Sequence, residues 1–331
     1  MFNWLPHSNK NNLTGIVKHS EGLAFASIKK NNTAKPVLTE CLFQPQLSDI
    51  NTTLKQLLQS LTVKKTPLIT VLTSSEFTFL LMQRPTVEND ELIEAVRWQI
   101  KDQLKYPAEE AIIQILDIPG QQERGRLPMI YVIAAHQETV KSTINLLSET
   151  KFDLRFIDIP ELAQRNISAL LPEDFIGVAL LHLEPNHSLL TITHEGELYL
   201  SRVIDIGYEH LEINDYDTKP SDGLSLEEEP TEYDHNIEKI ILEIQRSLDY
   251  YESHYGKATI GNLIIAPLET ELKELNETLE QSLGVVVRSL DIEEIIDSPK
   301  HIDLDIQSKC FNAIGAALRQ TIEVSAEKKL D

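Results

Sequence analysis

The chain has 331 residues, 41% of them hydrophobic, enough for two domains or one large lobed fold with a sizeable core. Its 52 acidic and 30 basic residues give a formal net charge of −22, which repels nucleic acid and anionic lipid headgroups and excludes an extended interface with either. Two cysteines, Cys41 and Cys310, make no disulfide framework and lack the close pairing of a redox or zinc motif, so the composition points to a reducing compartment.

The amino end, MFNWLPHSNK, lacks the apolar core of a signal peptide, and no uninterrupted apolar run reaches membrane-spanning length, so a cytosolic protein is expected. Phe2, Trp4 and Leu5 form a small apolar tip that reads as a frayed terminus. LTGIV (13–17), GLAFASI (22–28) and PVLTECLF (36–43) then read as three strands, the first two joined by a turn at 18–21. Ile50, Leu54, Leu57, Leu58 and Leu61 give a helical stripe, and PLITVL (67–72) a further strand. The pattern is that of a ββαβ-type lobe.

Residues 84–107, RPTVENDELIEAVRWQIKDQLKYP, predict an amphipathic helix bracketed by prolines. Leu92, Val96, Ile100 and Leu104 recur at every fourth position with Ile93 beside them, acidic Glu88, Asp90 and Glu91 suit the start, and Pro107 marks the end. Trp98 is rotated away from that stripe; packing under a neighbouring strand is expected of it, with a partner contact as the alternative. Strands AIIQILDI (111–118) and PMIYVIAA (128–135), joined by the polar loop QQERGR (121–126), and a helix over 137–148 complete a block that reads as an inserted subdomain.

The strand-rich pattern then restarts with GVALLHL (177–183), SLLTIT (188–193) and ELYLSRVI (197–204), which suggests internal duplication. The acidic segment 209–235 reads as a mobile surface loop. Ile237, Ile240, Ile241, Ile244, Leu248, Tyr251 and Tyr255 place one apolar face on a helix over 236–255. Strand NLIIA (262–266), a helix on Leu272, Leu275, Leu279 and Leu283, strand GVVVRSL (284–290) and a last helix around Phe311, Ile314 and Leu318 follow.

In this order and spacing, LIEAVRWQIKDQLKYPAEEA (92–111), RFIDIPELAQ (155–164), EIQRSLDYYES (243–253) and FNAIGAALR (311–319) resemble the PilM family of type IV pilus assembly proteins. The resemblance covers nearly the whole chain and is nearest to the branch that serves mannose-sensitive haemagglutinin (MSHA) pilus biogenesis. It implies an α/β, actin-like (ribonuclease H-like) two-lobe fold with a small inserted PilM-type subdomain. The implied division is 10–84 and 151–175 for the first lobe and 85–150 for the insert. The second lobe then takes 176–325, with a reduced acidic subdomain or loop at 209–235 and a closing helix at 310–322.

An actin-like nucleotide site needs two β-turns whose backbone N–H groups face phosphates, each with a glycine for close approach and an aspartate for the metal or its waters. The family's Gly-Ile-Asp-Ile-Gly-Ser reads here Gly15-Ile16-Val17-Lys18-His19-Ser20, so Val17 replaces the aspartate and His19 the glycine. In the second turn His182 stands for the aspartate and Glu184 for the glycine, where a carboxylate repels phosphate. Pro267-Leu268 replaces the double glycine on the adenosine side. The resemblance thus implies a degenerate cleft with no catalytic residue and neither ATP nor magnesium as cofactor, in which Lys18 is the cation left to offer charge to a phosphate.

His182, His187 and His194 share one meander, but strand alternation sends neighbours to opposite faces and no metal site is expected. The GxxxxGK[ST], GxSxG and HExxH motifs are absent, and Glu227 to Glu229 read as solvated surface. The resemblance implies a cytoplasmic, non-catalytic adaptor at the inner face of the bacterial inner membrane. It would dock the cytoplasmic tail of a PilN-like inner-membrane pilus protein in a groove between first lobe and insert, and link it to assembly motor components. Membrane association would run through those partners, with Arg97, Trp98 and Tyr106 as candidate groove contacts. Two alternatives are a nucleotide-binding actin-like ATPase or kinase, and the cytoplasmic part of a type II secretion platform protein, against which the charged end EVSAEKKLD stands.

Overall fold

The alternating, mostly apolar runs at the start of the chain form a hairpin of Asn12–His19 (β1) and Gly22–Lys29 (β2), paired from Asn12↔Lys29 to His19↔Gly22. The computed structural model describes residues 12–30, 35–62, 66–121, 128–211, 232–269, 272 and 275–319. The expectations for Phe2, Trp4 and Leu5, for residues 122–126, for most of the acidic segment 209–235 and for the charged carboxyl end lie outside them. Val37–Pro45 (β3) adds to β2, while Pro67–Val71 (β4) and Asp153–Asp158 (β8) add in parallel on the other side, giving the order β3-β2-β1-β4-β8. Helix Ile50–Ser60 (α1) links β3 to β4, with Asp49 accepting from the Asn51 and Thr52 N–H groups as its N-cap.

A second sheet repeats this plan. Val178–Leu183 (β9), Ser188–His194 (β10) and Glu197–Ile204 (β11) form a meander, to which Asn262–Ile265 (β12) and Val286–Ser289 (β13) add in parallel, in the order β11-β10-β9-β12-β13. Helices Glu232–Tyr255 (α5) and Leu275–Leu283 (α6) supply the crossovers. The result is the actin-like two-lobe α/β fold.

The lobes exchange helices. Pro160–Ser168 (α4) leaves the first sheet and packs on β9, β10 and β11, whereas Leu304–Ala317 (α7) ends the second lobe and packs on β1 to β4 of the first. The closing helix, expected with the second lobe, therefore covers the first sheet. Glycine lets α7 come close on both sides: a Cβ on Gly15 of β1 would lie 2.2 Å from the Ala313 carbonyl oxygen, and one on Gly315 would lie 2.3 Å from that of Ala163 in α4.

The insert is an antiparallel sheet of Phe77–Gln83 (β5), Met129–His136 (β7) and Ala111–Asp117 (β6), in the order β5-β7-β6. Leu92–Ile100 (α2) covers one face, with Leu92, Val96 and Ile100 buried on Ala111, Ile113, Ile130 and Val132, and Gln137–Ser148 (α3) follows β7. Three expectations change. FTFLLMQ, placed in the first lobe, is strand β5 of the insert. The long helix contracts to nine residues plus a 3-10 turn at Lys101–Gln103, leaving Glu88, Asp90 and Glu91 ahead of it. Ile93 faces solvent at 45% exposure, because the buried stripe needs only every fourth position.

The other face of the insert meets the second lobe. Phe79 stacks on Tyr131 at 4.6 Å, and the Tyr131 hydroxyl accepts from the Ser201 N–H (3.1 Å) and donates to the Tyr199 carbonyl (3.3 Å). No helix of the described residues is long and apolar enough to cross a membrane.

Candidate functional site: the interlobe cleft and the insert helix

The β1–β2 turn and the β9–β10 turn face one cleft, and α7 runs between them. His19, His182, Glu184, Glu269, Lys309 and Asn312 line a small pocket there. Val17 is buried in the core that α7 shares with the first sheet. Lys18, the cation left to offer charge to a phosphate, is bonded to Glu76 at 2.6 Å. The His19 ring meets Phe43 edge-on at 5.3 Å, and burial lowers its pKa against the opposing pull of Glu21 and Glu184.

His182 lies against the Phe311 ring at 4.5 Å and is 5% exposed. Burial pushes its pKa down to about 4, so the imidazole is neutral at pH 7, and its Nδ1 has no hydrogen-bond partner among the described residues. Glu184 stands between two imidazoles, 3.9 Å from His182 Nδ1 and 3.4 Å from His187 Nε2. His194 ends β10, whereas His182 pairs with Leu189 near its beginning, so strand geometry sets His194 apart from His182 and His187. Among the described residues no three metal-ligating side chains come together.

The charge in the cleft comes from a residue that sequence reasoning missed. Lys309 Nζ lies 2.7 Å from Asp305, 3.3 Å from Glu269 and 3.6 Å from Glu21, with the lysine side chain 15% exposed. Burial alone would lower its pKa, but Asp305 and Glu269 outweigh that and hold it above the usual lysine value. Glu21 belongs to the first-lobe turn and Glu269 follows β12, so one ammonium ties both lobes to α7. Its partners sit far apart in sequence; the only local signal was the i,i+4 spacing of Asp305 and Lys309. On the adenosine side, Pro267 and Leu268 line a separate hollow of about 510 Å³ with Leu275, Ser289 and Leu304.

Two more buried acids adjoin the lobe junction. Asp158 pairs with Arg319. Glu161, in the first turn of α4, has an Oε2 with no hydrogen-bond partner among the described residues, and burial, with Asp158 and Glu184 adding to it, pushes its carboxyl up to about 7. Its position after Pro160 looked like an ordinary acidic helix start.

The insert helix holds the three candidate groove residues in different settings. Arg97 Nη1 donates to the carbonyls of Ala108 and Ala111 (2.5 and 2.8 Å), which fixes the connection to β6. Tyr106 packs on the helix core with its ring 4.7 Å from His136; its hydroxyl is buried without a partner, and burial raises its pKa. Trp98 is 68% exposed and does not pack under a strand, because the 92/96/100 stripe turns it outward. Lys101 Nζ sits 3.3 Å from its ring centroid, and Trp98 borders a hollow of about 500 Å³ with Glu94, Arg97, Asp102 and Glu109.

No protein-family model matches the chain, and no curated protein matches it in sequence. Solved structures do share the fold. A PilM-PilN type IV pilus biogenesis complex is similar over 92% of this chain and 97% of that one, with a TM-score of 0.69 at 17% identity. A Bacteroides thetaiotaomicron protein with an actin-like ATPase fold and unknown function matches over 93% and 98%, with a TM-score of 0.47 at 11% identity. The cytoplasmic domain of EpsL, an inner-membrane component of the type II secretion system of Vibrio cholerae, matches over 91% and 94%, with a TM-score of 0.47 at 8% identity. At these identities the likeness is one of fold.

Proposed function

We propose that this chain is a cytoplasmic, non-catalytic adaptor of type IV pilus biogenesis, of the MSHA kind and comparable in role to MshI. It docks the cytoplasmic tail of a PilN-like inner-membrane protein, links that protein to the assembly motor, and reaches the inner membrane through it. The observation that supports the non-catalytic half is the charge of the cleft: Glu184 and Glu269 line it, and the Lys309 ammonium is already paired with Asp305, Glu269 and Glu21, so a phosphate would meet carboxylates and an engaged cation. Likeness of fold to a PilM-PilN complex supports the docking half. The net charge of −22 favours a basic tail, and an extended peptide in a groove would set alternate side chains into pockets, with Arg97, Trp98 and Tyr106 as the contacts to test first.

Thermal unfolding with and without millimolar Mg-ATP tests the first half. A ligand at about a hundred times its dissociation constant stabilises by roughly 2.7 kcal/mol, so an unchanged Tm is expected and a clear rise would restore the nucleotide-binding ATPase. Titration with a labelled synthetic tail peptide of the PilN-like protein tests the second half, and absence of binding would overturn it.

A further inference from the structure

The two cysteines of the chain, far apart in sequence, meet on the face of the first sheet that α7 covers. Gly15 pairs with Ala26 and Ala26 with Cys41, so these three residues form one cross-strand row over β1, β2 and β3. The row is small at its first two positions, and there the helix comes down onto the sheet: the Ala313 main chain sits against Gly15. One turn earlier in α7, the fully buried Cys310 donates its S–H to the Leu42 carbonyl at 3.4 Å, beside Cys41 on β3. Both cysteines belong to the same packed cluster. Cys41 is half-buried and borders an open hollow of about 380 Å³ between β3 and residues 298–303, which brings small molecules up to this residue.

We propose that Cys41 and Cys310 form an oxidisable pair that closes to a disulfide joining edge strand β3 to the closing helix α7. The inference is independent of the adaptor role. The oxidant is a low-molecular-weight disulfide. The Cys41 thiolate attacks one of its sulfurs, expelling the other as a thiolate that takes up a proton and leaving a mixed disulfide on Cys41. Cys310 then loses its proton and attacks the Cys41 sulfur, releasing the second small thiol. The protein gives up two protons and two electrons in all, and the reagent becomes two thiols. The neighbouring Cys41 thiol and then burial push the Cys310 thiol up, so the second step is the slow one. Once formed, the bond closes a loop from residue 41 to residue 310 that contains the insert and the second lobe, and α7 can no longer leave the sheet.

The reduced full-length chain is equilibrated with glutathione disulfide at increasing excess over glutathione and mapped by mass spectrometry without reduction. The expected product has lost two hydrogens, carries a peptide linked through 41 and 310, and unfolds about 5–10 °C higher than the reduced chain. Cys310→Ser should trap a stable glutathione adduct on Cys41, which the parent chain resolves. A parent chain that keeps the adduct on Cys41 while Cys310 still titrates as a free thiol after unfolding would overturn the proposal. So would cross-linked dimers through Cys41, or two free thiols at the most oxidising ratio.

Discussion

In the first lobe, the residues of the β1–β2 turn that face inward have found partners inside the protein: Val17 lies in the core, Lys18 is on Glu76, and His19 rests against Phe43. In the second lobe the equivalent turn keeps polar groups of its own. His182 is buried with Nδ1 unpaired, and Glu184 is held beside two imidazoles. The sheets nevertheless have the same strand order. Backbone topology depends on packing at the helix crossings, whereas the chemistry of the cleft depends on a few turn residues.

If packing at the crossings holds the topology, the largest effect comes from breaking one of them. Gly15→Ala puts a methyl 2.2 Å from a main-chain carbonyl that has no rotamer to relax, so α7 must lift from the sheet. A loss of about 3 kcal/mol or more is expected in urea unfolding. A loss below about 1 kcal/mol would mean that the helix is not held there.

A titration sharpens the comparison, because the strongest opposed shifts lie on the second-lobe side. His182 falls to about 4 from an ordinary 6.5; as pH drops through that window the unfolded chain takes a proton that the folded chain refuses, and stability falls. Glu161 rises to about 7 from 4.5; as pH climbs through that window the unfolded chain releases a proton that the folded chain keeps, and stability falls in the opposite direction. The two slopes offset each other in the parent protein. Glu161→Gln should expose a loss of about 3 kcal/mol from pH 6.5 to pH 4, and His182→Leu the mirror-image loss from pH 4.5 to pH 7. A flat profile in either variant would contradict the corresponding burial.

A smaller effect tests the tie between the lobes. Lys309→Met leaves Asp305, Glu269 and Glu21 without their cation, and a loss of about 2 kcal/mol is expected near pH 7, with Lys309→Arg recovering most of it. The raised pKa of Lys309 makes this contribution complete below the ordinary lysine value of about 10.5, and it fades as pH climbs through the folded value. Equal stability of the Met variant would show that the network contributes nothing.

Much of this architecture was legible because strands and helices that bury one face announce it by period. The two meanders, α3 and α5 follow from such patterns. FTFLLMQ escaped because it is a short, largely apolar segment whose partner β7 lies about fifty positions away; only pairing tells such a segment from the end of the preceding lobe. Periodicity also shows that α7 is buried without saying on which sheet, so the helix exchange was invisible. In the cleft, His19, His182 and Glu184 were picked out by the resemblance, which matches them to the family's two turns. Lys309, Glu161 and the meeting of Cys41 with Cys310 were not, since each depends on segments joined only by the fold.

The smallest expected stability change separates two adjacent residues of α2. Arg97 binds two carbonyls and its removal leaves both without a donor, so Arg97→Ala should lower stability by about 1–2 kcal/mol. Trp98 touches little beyond Lys101 and is 68% exposed, so Trp98→Ala should leave stability within about 0.5 kcal/mol. Any loss of tail-peptide affinity in that variant therefore reports the contact itself. Large exposed aromatics at docking sites commonly contribute 2 kcal/mol or more, so a drop of about tenfold or greater is expected if Trp98 anchors the peptide. Unchanged affinity would move the docking surface off this helix face and leave the first-lobe side of the insert as the place to search.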